Sequence, residues 1–255
     1  MRDGLTMTDG ATLYLDLMKR ILTNVIYQDP PQAVFWYPDR TYNGDRRATG
    51  RDWPSVAHTM VGLERLHNVQ HCVEDVIAGG VPGDLIETGV WRGGVCIFLR
   101  ALLAAHGVTD RTVWVADSFE GIPDSTEGDP RDQLIALDRF NDVLAVPLEE
   151  VQENFRRYGL LDEQVRFLPG WFSDTLPAAP IERLAVLRLD GDLYGSTMDA
   201  LTNPYPKVSV GGYVIIDDYI IKACREAVHE YRDRAGIHDE IVTIDECGVY
   251  WQRTA

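Results

Sequence analysis

From Asp84 onward, short apolar runs alternate with amphipathic stretches. The runs are DLIETGV (84–90), TVWVADSF (112–119), QVRFLPG (164–170), LAVLRLDGD (184–192) and GYVIIDDY (212–219). Near-continuous Val, Ile and Leu over such lengths predict parallel strands covered on both faces. The stretches between them predict helices at about 94–106, 131–158 with a break near Pro147, 196–202 and 221–235. Two closing runs, EIVTID (240–245) and GVYWQR (248–253), predict an antiparallel hairpin at the sheet edge. Strand and helix in alternation give a doubly wound α/β sheet of five parallel strands plus that hairpin.

Upstream the pattern is helical and irregular. Leu13, Leu17, Met18, Ile21 and Val25 recur at helical spacing and predict a helix from about Thr12 to Tyr27. A second helix is predicted from about His58 to Ile77, stopped by Gly79-Gly80 and Pro82. Between them, residues 28–54 hold Pro30, Pro31, Pro38, Gly44, Gly50 and Pro54, so they read as a loop. That loop also carries Phe35, Trp36, Tyr37, Tyr42 and Trp53. Two readings stand: the rings pack the loop onto the body, or they form a mobile lid over an apolar ligand.

Composition narrows the partners. The chain has 255 residues, with 24 Lys and Arg against 40 Asp and Glu, a formal charge of −16. That balance repels a phosphate backbone and an anionic lipid surface, so neither nucleic acid nor membrane is an expected partner. Hydrophobic residues make up 45%, enough for a folded core. No apolar run of secretory type opens the sequence, and none reaches membrane-spanning length. Cys72, Cys96, Cys224 and Cys247 form no CxxC pair, which argues against zinc or a disulfide framework. A cytoplasmic protein is the resulting expectation.

Ligands of an open α/β sheet bind beyond the carboxyl ends of its strands. The first strand ends in Glu87-Thr88-Gly89-Val90-Trp91-Arg92-Gly93-Gly94. Glycines there allow a tight turn and a close backbone approach to a ligand. The dinucleotide pattern G-x-G-x-x-G is missing, and the methyltransferase pattern acidic-x-G-x-G-x-G is met except that Trp91 replaces its middle glycine. The second strand ends in Asp117-Ser118, where a carboxylate either accepts from a ribose diol or caps the turn. The third ends in Gly170-Trp171-Phe172, whose rings either flank an adenine or join the core. The fourth ends in Asp190-Gly191-Asp192 and the fifth in Asp217-Asp218. Helix capping accounts for one or two such residues, but four converging carboxylates need a cation or a shared proton. Oxygen-only donors favour a hard cation such as Mg²⁺. His58 and His71 are expected to be structural.

The runs ETGVWRGGVCIF, VWVADSFEGIP, DEQVRFLPGWFSDTLPAAP, LRLDGDLYGSTMDAL and IIDDY resemble the macrocin O-methyltransferase family of antibiotic sugar O-methyltransferases. Within it, GRDWP, YPKVSVGGYVI and GVYWQRT look most like the noviose 4-O-methyltransferase branch. The resemblance implies a Rossmann-like S-adenosylmethionine-dependent methyltransferase domain at 84–255, with residues 1–83 as a helical extension and lid. It implies Asp190, Asp217 and Asp218 as Mg²⁺ ligands and Asp192 as general base. Thr59, Met60, Glu87, Thr88, Gly89, Asp117, Ser118, Gly170, Trp171, Phe172 and Asp190 would contact S-adenosyl-L-methionine. The implied partner is a glycosylated small-molecule acceptor, methylated on a deoxysugar hydroxyl by a homodimer or larger homo-oligomer. The expected chemistry places vicinal hydroxyls on Mg²⁺, with Asp192 accepting the proton. Competing readings are a catechol-type enzyme acting on a phenolic diol, a nicotinamide oxidoreductase and an idle binding module.

Overall fold

Apolar side chains that alternate along a strand or recur along one helix face decide which elements this chain forms. A computed structural model describes residues 10–34, 38–124, 126 and 128–255. In chain order the helices are α1 (Gly10–Leu22), α2 (Gly44–Ala48), α3 (Gly62–Ala78), α4 (Gly94–Ala105), α5 (Pro130–Gln133), α6 (Asn141–Leu144), α7 (Leu148–Arg157), α8 (Phe172–Thr175), α9 (Tyr194–Thr202) and α10 (Lys222–Ala235). The strands are β1 (Asp84–Thr88), β2 (Val113–Asp117), β3 (Val165–Pro169), β4 (Leu184–Leu189), β5 (Val208–Ile216), β6 (Val242–Thr243) and β7 (Val249–Gln252).

All seven strands form one sheet in the order β3-β2-β1-β4-β5-β7-β6. The first five are parallel, and β7 runs antiparallel to both β5 and β6. The closing pair is the expected hairpin, with its second strand inserted against β5. Alternation divides the core into two layers. Leu85, Val113, Val186 and Tyr213 lie across from one another and face α1, α3 and α4. Ile86, Trp114, Leu187 and Val214 face the other way, toward Leu201 of α9 and Val228 of α10. On the first side Leu15, Met18 and Leu22 of α1 share a core with Val69 and Val73 of α3 and Leu99 and Leu102 of α4. No helix among the described residues is long and apolar enough to cross a membrane.

Three helix predictions need correction. The second helix begins at Gly62, not near His58. Residues 58–59 instead bridge neighbours: the His58 and Thr59 amides donate to Leu22 O at 3.0 and 3.2 Å, and His58 O accepts from Gly94 N at 3.0 Å. The predicted helix at 131–158 is broken into α5, a 3₁₀ turn at Leu137–Phe140, α6 and α7. Ala136 sits in the left-handed region at φ 50° and interrupts the helical run, while Pro147 opens α7. The first helix also stops earlier, at Leu22, with Asn24 at φ 51°.

The described part of the 28–54 loop is pinned from inside. The buried Arg47 guanidinium donates from Nε to Asp52 at 2.8 Å and from Nη1 to Asp29 Oδ1 at 2.6 Å. It also donates to Thr23 O at 3.1 Å and Asp29 O at 2.9 Å. Tyr42 covers Arg47, its ring centroid 5.3 Å from the guanidinium carbon. Phe35, Trp36 and Tyr37, which the lid reading used, lie outside the described residues.

Candidate active site

The carboxyl ends of β1, β2, β4 and β5 open into one cavity of about 720 Å³. At the end of β1, Gly89 adopts φ 87°. A Cβ there would stand 1.7 Å from Asp190 O, so only glycine lets the first and fourth strand ends meet. Gly94 is equally confined, since its Cβ would lie 2.3 Å from His58 O. This contact brings the 58–60 segment against the turn before α4. Met60 thereby lines the cavity.

Asp117 ends β2 beside that turn. Its Oδ2 accepts the Val90 amide at 2.7 Å and its Oδ1 accepts the Phe119 amide at 2.7 Å. Burial raises its pKa, and these backbone donors oppose the rise. The turn-capping role is therefore present, and a carboxylate oxygen can accept more than one donor. Ser118 stands next to it, donating to Gly121 O at 2.9 Å. Trp171 exposes 37% of its surface and Phe172 packs at the Gly191 backbone, where a Cβ would be 3.2 Å from its ring.

The cavity floor is strongly acidic. Asp190, Asp217 and Asp218 each offer a carboxylate oxygen within 4.8 Å of the others. Burial first, then repulsion from neighbouring carboxylates, pushes Asp190 up to about 6 and Asp192 up to about 7. The same causes carry Asp218 well above the carboxylate range. The Asp192 amide donates to Asp218 Oδ2 at 3.0 Å, with Asp192 at φ 57°. That bond fixes the relative position of the two motifs. The oxygens of an octahedral Mg²⁺ lie about 2.0–2.1 Å from the ion, hence roughly 3 Å from their nearest neighbours. Three oxygen donors gathered within 4.8 Å of one another fit a small divalent cation in charge and hardness.

Two buried arginines hold this floor, Arg188 from beneath it and Arg65 from the cavity lining. Arg188 of β4 donates from Nη1 to Glu87 and, at 2.7 Å, to Asp190 Oδ2, and from Nη2 to Asp217. Arg65 of α3 donates to the other Asp217 oxygen. Neither arginine was singled out from sequence, although each left a signal. Arg188 is the lone charge inside the apolar run LAVLRL, and Arg65 falls on the core face of α3 beside Leu66 and Val69.

Of the residues read from sequence, Met60, Gly89, Asp117, Ser118, Trp171, Phe172, Asp190, Asp192, Asp217 and Asp218 line the cavity together. Four others do not. Glu87 is 1% exposed and lies beneath the floor, held by Arg188, with Cys96 Sγ 2.9 Å from its other oxygen. Thr88 is fully buried in β1. Thr59 is 4% exposed, packed where a Gly94 Cβ would be. Gly170 forms the β3 turn at φ 128°, outside the cavity lining. His58 is likewise structural: Nδ1 is 2.7 Å from Tyr158 Oη, and burial, with Arg92 and Arg157 nearby, lowers it to about 4.

Sequence reasoning missed an apolar stretch of the lining, formed by Ile122, Ile135, Leu137, Leu144 and Ile221; Trp53, which the lid reading used, lines the same cavity. The broken 131–146 segment supplies much of that stretch and is fastened at several points. Asp132 caps α9 by accepting the Tyr194 and Gly195 amides at 2.6 and 3.0 Å. Trp91 Nε1 donates to Val143 O at 2.8 Å, and Phe140 meets Trp53 edge to face at 5.4 Å. The cavity thus combines an acidic floor with an apolar wall.

Residues 11–253 match the family described as Macrocin-O-methyltransferase (TylF). The chain is 64% identical over 248 residues to the 8-demethyl-8-(2,3-dimethoxy-alpha-L-rhamnosyl)-tetracenomycin-C 4'-O-methyltransferase of Streptomyces olivaceus, covering 97% of this chain and 95% of that one. It is 63% identical to the demethyldecarbamoylnovobiocin O-methyltransferase of Streptomyces niveus, covering 96% and 94%. It is 60% identical to the mycinamicin III 3''-O-methyltransferase of Micromonospora griseorubida, covering 96% and 98%. Among solved structures, that of the O-methyltransferase NovP superposes with a TM-score of 0.92 at 62% identity, over 96% of this chain and all of that one.

Proposed function

Because the chain belongs to the macrocin O-methyltransferase family and is therefore a methyltransferase, we propose that it methylates a sugar hydroxyl of a glycosylated natural product. Its methyl donor is S-adenosyl-L-methionine and its cation is Mg²⁺. The observation that carries this reading is the convergence of Asp190, Asp192, Asp217 and Asp218 in one cavity with the Gly89 turn and Asp117. The relatives are named for three different glycosides at 60–64% identity, which supports the reaction class and leaves the position of methylation open. A phenolic diol is the second reading; those names give it no support.

O-methylation gives an oxygen a methyl group and removes its proton. When bound, the donor supplies an electrophilic methyl on a cationic sulfonium, and Mg²⁺ acidifies a hydroxyl. The chain's own residues have the remaining tasks. Gly89 leaves room at the β1 end, while Asp117 and Ser118 offer acceptors and Trp171 and Phe172 offer aromatic faces to a nucleoside. Asp190, Asp217 and Asp218 would hold the cation. Asp192, beside them and raised in basicity by the same burial, would take the acceptor proton. The apolar wall of Trp53, Ile135 and Leu137 would exclude water and receive the less polar part of the acceptor. Residues 84–255 carry the acidic floor, and 1–83 adds Trp53, Met60 and Arg65 to the cavity lining. Leu13 and Leu17, exposed on α1, suit the expected self-association.

Chelation tests the cation. Exhaustive EDTA treatment is expected to abolish methyl transfer, with recovery on adding Mg²⁺. Full activity after chelation would contradict it.

A further inference from the structure

Arg65 is 5% exposed, and its guanidinium is shared among three segments distant in sequence. Nη1 donates to Asp217 at the end of β5. Nε lies 3.1 Å from Asp245 Oδ2, in the turn between β6 and β7. Nη2 donates to Gly50 O at 3.3 Å, in the loop that brings Gly50 and Trp53 to the cavity.

Three glycines make this path passable. A Cβ on Gly50, which sits at φ 63°, would stand 2.3 Å from Arg65 Nη2. A Cβ on Gly62, at φ 77°, would stand 2.3 Å from the Gly50 amide nitrogen. A Cβ on Gly248 would reach 3.3 Å from Arg65 Cδ. The backbone of three segments is thus shaped around one side chain. Since Arg188 occupies the other oxygen of Asp217, that carboxylate is gripped from both sides.

We propose that Arg65 is a positioning residue that orients Asp217 for the cation and fastens the Gly50–Trp53 loop to it. This rests on the reading that Asp190, Asp217 and Asp218 bind a divalent cation. Charge alone gives the opposite expectation: a guanidinium repels a cation, so its removal would tighten binding. Orientation requires the fork, which holds three partners at once and which a lysine ammonium cannot reproduce. Arg65→Lys keeps the charge and removes the fork, so it separates the two.

The test is Mn²⁺ binding to the full chain followed by electron paramagnetic resonance, with S-adenosyl-L-methionine affinity and thermal melting measured on the same samples. In Arg65→Lys, Mn²⁺ affinity is expected to fall about tenfold, the low end of what losing a ligand-orienting partner costs. Cofactor affinity is expected to stay within about twofold, because the Arg65 bonds run to Asp217, Asp245 and Gly50 rather than to Asp117 or the Gly89 turn. Gly248→Ala is the milder variant. Its Cβ would stand 3.3 Å from Arg65 Cδ, so it displaces the guanidinium with no change of charge, and Mn²⁺ affinity should fall in the same direction. If Arg65→Lys does not fold, Gly248→Ala decides. Unchanged or tighter Mn²⁺ binding in the folded variant overturns the role, as does an equal loss of cofactor affinity. Absence of Mn²⁺ binding in the wild type removes the cation reading itself, and this role with it.

Discussion

Replacing Arg47 by methionine tests whether the loop beside the cavity is held by a buried ion cluster. The Arg47 side chain is 1% exposed, and its two carboxylate partners, Asp29 and Asp52, are 6% and 1% exposed. Methionine fills much of the volume but leaves both carboxylates without their cation. Removing one partner of a buried pair costs about 3–5 kcal/mol. For a chain of this size each kcal/mol lowers Tm by about 2–4 °C, so the expected fall is roughly 6–20 °C. Calorimetric melting at pH 7 reads it directly. Asp29 adds a pH signature. Burial opposes its ionisation, but hydrogen bonds from Arg47, Val56 and Asn24 outweigh burial and hold its pKa below the ordinary value. A carboxylate depressed in the folded state stabilises above its unfolded pKa and loses that contribution as pH falls through the folded one. The gap between wild type and Arg47→Met should therefore narrow below about pH 4. Adding Asp29→Asn and Asp52→Asn to the variant should restore part of the loss. A Tm change under about 2 °C in Arg47→Met would refute the reasoning.

Two further outcomes concern the site. Asp192→Asn should lower kcat by about 10²–10⁴ with cofactor affinity nearly unchanged, in steady-state and binding measurements; near-normal turnover would remove Asp192 as base. Gly89→Ala should abolish cofactor binding in a titration, since its Cβ meets Asp190 O at 1.7 Å and its φ of 87° disfavours a side chain.

Much of this was legible in the chain. The parallel strands followed from runs such as LAVLRL and YVII because residues buried on both faces must be apolar throughout. The acidic floor followed from D-G-D and D-D standing at strand ends, where an open sheet binds its ligands. What escaped was tertiary. The 131–158 stretch has helical composition, yet Asp132 is drawn off to cap α9 and Ala136 turns left-handed, so the segment becomes a wall. Glu87 occupies the expected acidic position, but Arg188 one strand away binds it beneath the floor. Thr59 and Thr88 are near the cavity in sequence and behind it in space. Local patterns carry no information about which partner lies across the sheet.

The most direct measurement is transfer from [methyl-¹³C]S-adenosylmethionine to matched acceptors, a deoxysugar glycoside and its aglycone, with the labelled carbon located by NMR. The expected result is label on a sugar oxygen of the glycoside, dependent on Mg²⁺, and none on the aglycone. Label on a phenolic oxygen of the aglycone, or transfer indifferent to the sugar, would contradict the assignment.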